Sequence, residues 1–152
     1  MTLCLFADDT ILFIESVDPI ATANTLNSNL LKITTWANKW LVKFNSTKTK
    51  SLCISRKVNY IHHPPLFMYT QMLTEVRDHK HLGIFLASDL SWHKHIKYIK
   101  YKAWQRINIM RKLKYILNRL CLETICMSFV RPILEYGDII FDNCTQQEKW
   151  VR

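Results

Sequence analysis

Glycine is nearly absent from this chain: Gly83 and Gly137 are the two among 152 residues. A Gly-rich loop that cradles phosphate by close backbone approach therefore has nothing to be built from, and collagen-like or flexible-linker architectures are excluded with it. Four prolines are too few for a Pro-rich scaffold. The five cysteines (Cys4, Cys53, Cys121, Cys126, Cys144) are odd in number, irregularly spaced and without a Cys-x-x-Cys pair, which reads as reduced intracellular thiols, not a zinc ribbon or redox motif. No run approaches the ~18 apolar residues of a membrane span. The opening Met1-Thr-Leu-Cys-Leu-Phe-Ala-Asp8-Asp9 has no basic region before its apolar residues, so it is not expected to act as a signal peptide. The expectation is a soluble intracellular protein with no membrane partner.

Acidic residues are scarce over long distances. None occurs from Pro19 to Thr74, against seven Lys/Arg, and none from Leu90 to Leu122, against nine. The formal net charge is +9, yet four of the 12 acids fall within the first 18 residues. A small acidic centre in a basic chain is the charge layout of a protein that holds nucleic acid and does metal chemistry on it. With 49% hydrophobic residues there is enough apolar material for a core, in one domain or two small ones.

The pattern along the chain predicts an α+β order. Leu3–Phe6 and Ile11–Ile14 read as two strands around Ala7-Asp8-Asp9-Thr10, a β-hairpin with both carboxylates near its tip. Asp18-Pro19 supplies an N-cap and a proline at the first helical position, and Ile20, Ala23, Leu26, Leu30, Ile33, Ala37 and Leu41 recur at helical steps. The turn Asn45-Ser-Thr-Lys-Thr-Lys50 leads to a strand at Ser51–Ser55, expected to lie beside the Asp8-Asp9 hairpin with the 20–41 helix on one face. His62-His63-Pro64-Pro65 breaks the chain. Pro65–Tyr69 and Leu73–Val76 read as a second hairpin and His81–Leu86 as a further strand. From Trp92 the period becomes helical through Leu117, and a last helix from Leu120 is expected to stop at Arg131-Pro132.

Four motifs in this order resemble one family, the reverse transcriptases of non-LTR (LINE-type, jockey-like) retrotransposons. Phe6-Ala7-Asp8-Asp9 resembles the family's Tyr/Phe-Ala-Asp-Asp box. Trp36, Leu41 and Asn45-Ser-Thr-Lys48-Thr49 resemble its helix followed by Asn-x-x-Lys-Thr. His81-Leu82-Gly83, then Leu90-Ser-Trp92 and His95-Ile96, resemble the stretch from the primer-gripping hairpin into the thumb, and Arg131-Pro132-Ile-Leu-Glu-Tyr136-Gly137 resembles a run late in the thumb. Phe6 stands where Tyr is commoner, and His79 and His81 where aromatic residues are usual.

The resemblance implies an incomplete right-hand polymerase palm (β-hairpin, helix, strand, second hairpin) over residues 1–90, followed by a helical thumb-like region over 91–152. It implies an RNA-directed DNA polymerase of a mobile element, transferring nucleotides from dNTP to a primer 3′-OH on an RNA template through two Mg²⁺ or Mn²⁺ ions. It makes Asp8 a direct metal ligand and Asp9 a partial one. A first aspartate, the fingers, an endonuclease domain and a Cys/His-rich tail are expected outside the chain, which would then be inactive alone, and the parent element is expected to act in the nucleus. Asp8-Asp9 otherwise reads as a plain turn. Lys48 suits neutralising or protonating departing pyrophosphate, or is one solvated lysine among many. Asn45 is read as holding its turn by bonding local backbone. Lys94, Lys97, Lys100, Lys102, Arg106, Arg111, Lys112, Lys114 and Arg119 are read as phosphate contacts, the alternative being a solvated helix face. His81, Leu82 and Gly83 are primer-grip-like. Trp36, Trp40 and Trp104, at helical spacing, are read as core; Trp92 and His95 as packing, with His79, His81, His93 and His95 not joined into a zinc site. A non-catalytic basic nucleic-acid-binding module and a degenerate transposon relic stand as the competing readings.

Overall fold

The structure, a computed structural model, describes residues 1–55 and 63–141. Arg56, Lys57, His62, Cys144 and the end of the thumb-like region lie outside the described residues. The chain packs as two units, Met1–Arg77 and Asp78–Arg152.

In the first unit, β1 (Thr2–Phe6) and β2 (Asp9–Phe13) pair antiparallel, Phe6 opposite Asp9, and leave Ala7-Asp8 as a two-residue loop. Such loops need left-handed backbone, and Ala7 supplies it at φ +51. α1 (Pro19–Lys39) begins where the sequence places it: the Asp18 carboxylate accepts from the Ile20 amide at 2.9 Å and Pro19 opens the first turn. Its apolar stripe buries Ala23, Leu30 and Ala37. Ala23 and Leu30 join Leu66, Met68 and Leu73 in the core of this unit, with Leu12, Leu26, Ile33 and Phe44 around them. Asn27 on α1 fixes the segment that brings those residues in, donating to the Pro65 carbonyl and accepting from the Phe67 amide.

The β-region departs from expectation. β4 (Phe67–Met68) and β5 (Gln71–Met72) form the second hairpin, around Tyr69-Thr70. β6 (Thr74–Glu75) instead pairs parallel with β3 (Lys50–Ser51), so the strand foreseen at Ser51–Ser55 is two residues long and is not hydrogen-bonded to the Asp8-Asp9 hairpin, which forms a sheet of its own. Parallel pairing of segments this far apart leaves no local sequence signal.

In the second unit the strand foreseen at His81–Leu86 is a hairpin: β7 (Asp78–His81) and β8 (Ile84–Ala87) pair around Leu82-Gly83, both at positive φ. A Cβ on Gly83 would sit 3.1 Å from the Tyr136 ring, whose hydroxyl donates to the Leu82 carbonyl. α2 (His93–Leu113) buries His95, Ile96, Ile99 and Ala103, and Ile96 and Ile99 pack with Phe141, flanked by Trp92, Tyr98 and Ile133. Packing divides the chain ahead of residue 90 because the β7–β8 hairpin packs on α2. α3 (Arg119–Ile125) opens at Asn118, whose side chain accepts from the Cys121 amide. The helical path does not stop at Arg131-Pro132. A π-helical turn, Cys126–Val130, carries it into α4 (Arg131–Glu135): the Arg131 amide reaches back five residues to the Cys126 carbonyl, and Pro132, which has no amide to satisfy, falls in the first turn of the new helix.

Candidate functional site

The two carboxylates sit differently. Asp8 is in the loop and Asp9 is the first residue of β2, on the same face as Phe6, and both are exposed. Ala7, immediately before them, holds a backbone conformation that costs an L residue about 1–2 kcal/mol. The same left-handed backbone occurs at Leu41, Tyr69, Leu82 and Leu90, and at Ala7 it is what the two-residue hairpin loop requires. The hairpin is apolar on both faces: Phe6, Ile11 and Phe13 flank Asp9 on one, and Leu3, Leu5 and Leu12 lie on the other. Leu5 and Phe6 are 68% and 63% exposed.

The residues present do not make a metal centre alone. Among the described residues no group of three His, Cys, Asp or Glu side chains is placed to hold a metal ion, and two exposed carboxylates are too few to clamp a pair of divalent cations. Lys48 is exposed on the 45–49 turn, and among the described residues no ion pair joins it to Asp8 or Asp9. Asn45 does what its residue type predicts: its side-chain carbonyl accepts from the amides of Thr47 and Lys48 and fixes the turn. His81, Leu82 and Gly83 lie at the β7–β8 turn, partly buried.

The nine cations from Lys94 to Arg119 differ in the partners they have among the described residues. Lys94 pairs with Asp78 and lies over Phe85; Arg119 pairs with Glu123 at 2.7 Å. Arg106 donates to the Phe129 carbonyl and stacks on its ring at 4.0 Å. Lys102 lies over Tyr98, whose phenol is held below its ordinary pKa range by hydrogen bonds from Lys102 and Lys80. Arg111 covers Trp104 and Lys114 covers Tyr115. Lys97, Lys100 and Lys112 are exposed, on a helix whose sequence neighbourhood holds no acid from Leu90 to Leu122. His95 is a packing residue: it is 1% exposed, its Nδ1 accepts from the Phe85 amide, and its ring meets those of Trp92 and Phe141.

The assignment of Trp36, Trp40 and Trp104 to the core is overturned: they are 51%, 62% and 53% exposed. Trp36 precedes the buried Ala37 and Trp104 follows the buried Ala103, and one residue turns a helix by about 100°. Each indole thus points off the apolar stripe that its neighbour occupies. Asn27 was missed as a tertiary clamp because nothing in its local sequence distinguishes it from the other asparagines of α1.

No family model and no solved structure matches this chain. In sequence it is 28% identical over 141 residues to the probable RNA-directed DNA polymerase from transposon BS of Drosophila melanogaster, an alignment covering 89% of this chain and 15% of that protein. It is 25% and 26% identical over 135 residues to the RNA-directed DNA polymerases from mobile element jockey of Drosophila funebris and Drosophila melanogaster, covering 87% of this chain and 14% of each. The chain thus spans about one seventh of the length of the curated relatives it matches. Over nearly its whole length the chain is thus similar to one part of the RNA-directed DNA polymerases of these mobile elements.

Proposed function

We propose that this chain is the segment of a mobile element's RNA-directed DNA polymerase that carries the paired catalytic carboxylates and part of the surface that holds template and primer. The observation that carries this reading is similarity to three such polymerases over nearly the whole chain, with Asp8-Asp9 presented at an exposed, strained hairpin tip. Residues 1–90 are read as part of the palm and 91–152 as thumb-like. Asp8 and Asp9 contribute two carboxylates to a divalent-metal site, Mg²⁺ or Mn²⁺, that needs further ligands from the remainder of the polymerase. When occupied, such a site supports nucleotidyl transfer onto a primer 3′-OH.

Within the chain, the roles follow from placement. Asp8, on the loop, projects beyond the strand pair; Asp9, on β2, shares its face with Phe6. Lys48, on a turn whose backbone Asn45 fixes, offers a mobile ammonium to phosphate oxygens. The exposed cations of α2 meet the phosphates of template and primer and position them without reading sequence. The turn at His81-Leu82-Gly83 is read as contacting the primer. RNA template, DNA primer and dNTP are the partners of the complete enzyme.

The test is a chimera in which this chain replaces the corresponding segment of a jockey-type polymerase, assayed for metal-dependent primer extension on an RNA template. Asp8→Ala is expected to lower extension by about 10²–10³-fold or more, the scale of removing one preorganised charge-stabilising group. Extension that survives Asp8→Ala would contradict the assignment. A non-catalytic nucleic-acid-binding module is the second reading, favoured by the nine cations that occur with no acid from Leu90 to Leu122. It predicts binding with no extension from the chimera.

A further inference from the structure

The outward face of α2 combines exposed aromatic rings with exposed cations in one line. Lys97, Tyr101, Trp104, Asn108 and Arg111 follow at alternating steps of four and three, which places them on a single stripe, and Lys100 lies one turn before Trp104. The opposite face is the buried one, carrying His95, Ile96, Ile99 and Ala103. Tyr101 is 62% and Trp104 53% exposed. From Lys97 to Arg111 the stripe runs about 21 Å at 1.5 Å per residue.

We propose that this stripe is a stacking platform for an unpaired nucleic-acid strand, with Tyr101 and Trp104 taking bases while Lys97, Lys100 and Arg111 take phosphates. The inference rests on the nucleic-acid reading above and goes beyond it by naming an unpaired strand, not a duplex, as the occupant. Three observations carry it. The charge is complementary to a polyanion, since no acid occurs from Leu90 to Leu122 to neutralise it. Lys97 and Lys100, three residues apart, place like charges side by side at a cost to the helix that a bound anion relieves, whereas Lys94 on the same row is already paired with Asp78. The indole of Trp104 is held in place by the Arg111 guanidinium, 4.7 Å from its centroid and itself bonded to Asn108, so an aromatic plane and a cation are already paired. Unpaired bases offer their π faces to such a pair, whereas the bases of a duplex are stacked on one another and offer only their edges. Aromatic exposure alone does not make this argument. Trp36 and Trp40 are also exposed, but α1 carries only Lys32 and Lys39 over its 21 residues.

The experiment measures fluorescence anisotropy of a labelled U-rich single strand and of a duplex of equal length, over a salt series, with the full chain. Unmodified chain is compared with Tyr101→Ala/Trp104→Ala, with Tyr101→Phe/Trp104→Phe, and with Lys97→Ala/Lys100→Ala, and circular dichroism verifies the helix in each. The aromatic-to-Ala variant is expected to lose at least about tenfold in affinity for the single strand, with duplex affinity and the salt slope unchanged, and the Phe variant to retain most of the binding. The lysine variant is expected to weaken both and to flatten the slope by up to about two phosphates. Equal losses on strand and duplex would overturn the proposal, and no loss on the strand would assign the rings to a protein contact instead. Absence of salt-sensitive binding by the unmodified chain would fail the broader nucleic-acid reading itself.

Discussion

The two long helices are each 21 residues and are built on opposite principles. α1 is capped, by the Asp18 carboxylate and Pro19, and apart from Lys32 and Lys39 its polar residues are small and neutral. Thr22, Thr25, Asn29 and Thr35 return their hydrogen bonds to carbonyls one turn back, so the polarity is spent within the helix. α2 has no side-chain cap, no acid in its first turn, and Lys94 where the helix dipole disfavours a cation. That cation is offset by Asp78. Lys97 and Lys100 have no such offset among the described residues. On the proposed reading, this helix gives up local stability to display charge outward to a nucleic-acid partner. α1 is arranged for the core: its Ala23 and Leu30 pack with Leu66, Met68 and Leu73.

The contrast breaks most visibly at Lys97. Lys97→Glu places an acid between Lys94 and Lys100, turning two like-charge neighbours into attractive ones, so the second unit is expected to gain about 0.2–0.5 kcal/mol per pair in thermal unfolding. Nucleic-acid affinity should move the other way, by more than about tenfold, because one phosphate contact is lost and a repulsion gained. A variant that becomes more stable and binds as well as before would remove the reason for treating the charge as functional. Next in size, Asp18→Ala should cost about 1 kcal/mol, read by denaturant unfolding, and leave nucleic-acid binding untouched. Loss of binding in that variant would show that the helices are not separable in function.

The smallest effect concerns His95. Burial, reinforced by the nearby Lys80 charge, holds its imidazole below the ordinary histidine range. The groups that face it are the rings of Trp92 and Phe141 and the Phe85 amide, and its Nε2 has no hydrogen-bond partner among the described residues. The folded state therefore binds fewer protons than the unfolded one. The stability contributed is fully present above the unfolded value, about 6.5, and is lost as pH falls below it towards the folded one. Melting of the second unit is expected to drop between about pH 7 and 5, and the slope to shrink in His95→Gln.

What could be read from sequence was local. The Asp18-Pro19 start, the stripe of α1, the Asp8-Asp9 hairpin and the Asn45 turn depend on residues within a few positions of one another, and the chain obeys them except at the two ends of the stripe, where Ile20 is exposed and Leu41 lies exposed beyond the helix. The parallel pair of Lys50–Ser51 with Thr74–Glu75 depends on partners more than twenty residues apart, which no local period encodes. The Leu82-Gly83 turn was hidden because Leu82 before the single glycine and Ile84–Leu86 after it read together as one continuous strand. Arg131-Pro132 signals a stop unless a π-turn shifts the hydrogen bonding to accept it. Of the candidate site, the carboxylates and cations were legible as residue types. The direction of Trp104 was not, since spacing alone does not separate a ring on the apolar stripe from one a residue beside it.

The most direct measurement is photo-cross-linking of the chain to a 4-thiouridine-substituted single strand, with the attached peptides mapped by mass spectrometry. Both long helices expose aromatic rings, Trp36 on α1 with Trp40 at its C-cap, and Tyr101 and Trp104 on α2, so each serves as the other's control within one molecule. The account predicts adducts concentrated between Lys97 and Arg111 and suppressed by added salt. Adducts on α1 equal to or exceeding those on α2 would contradict it.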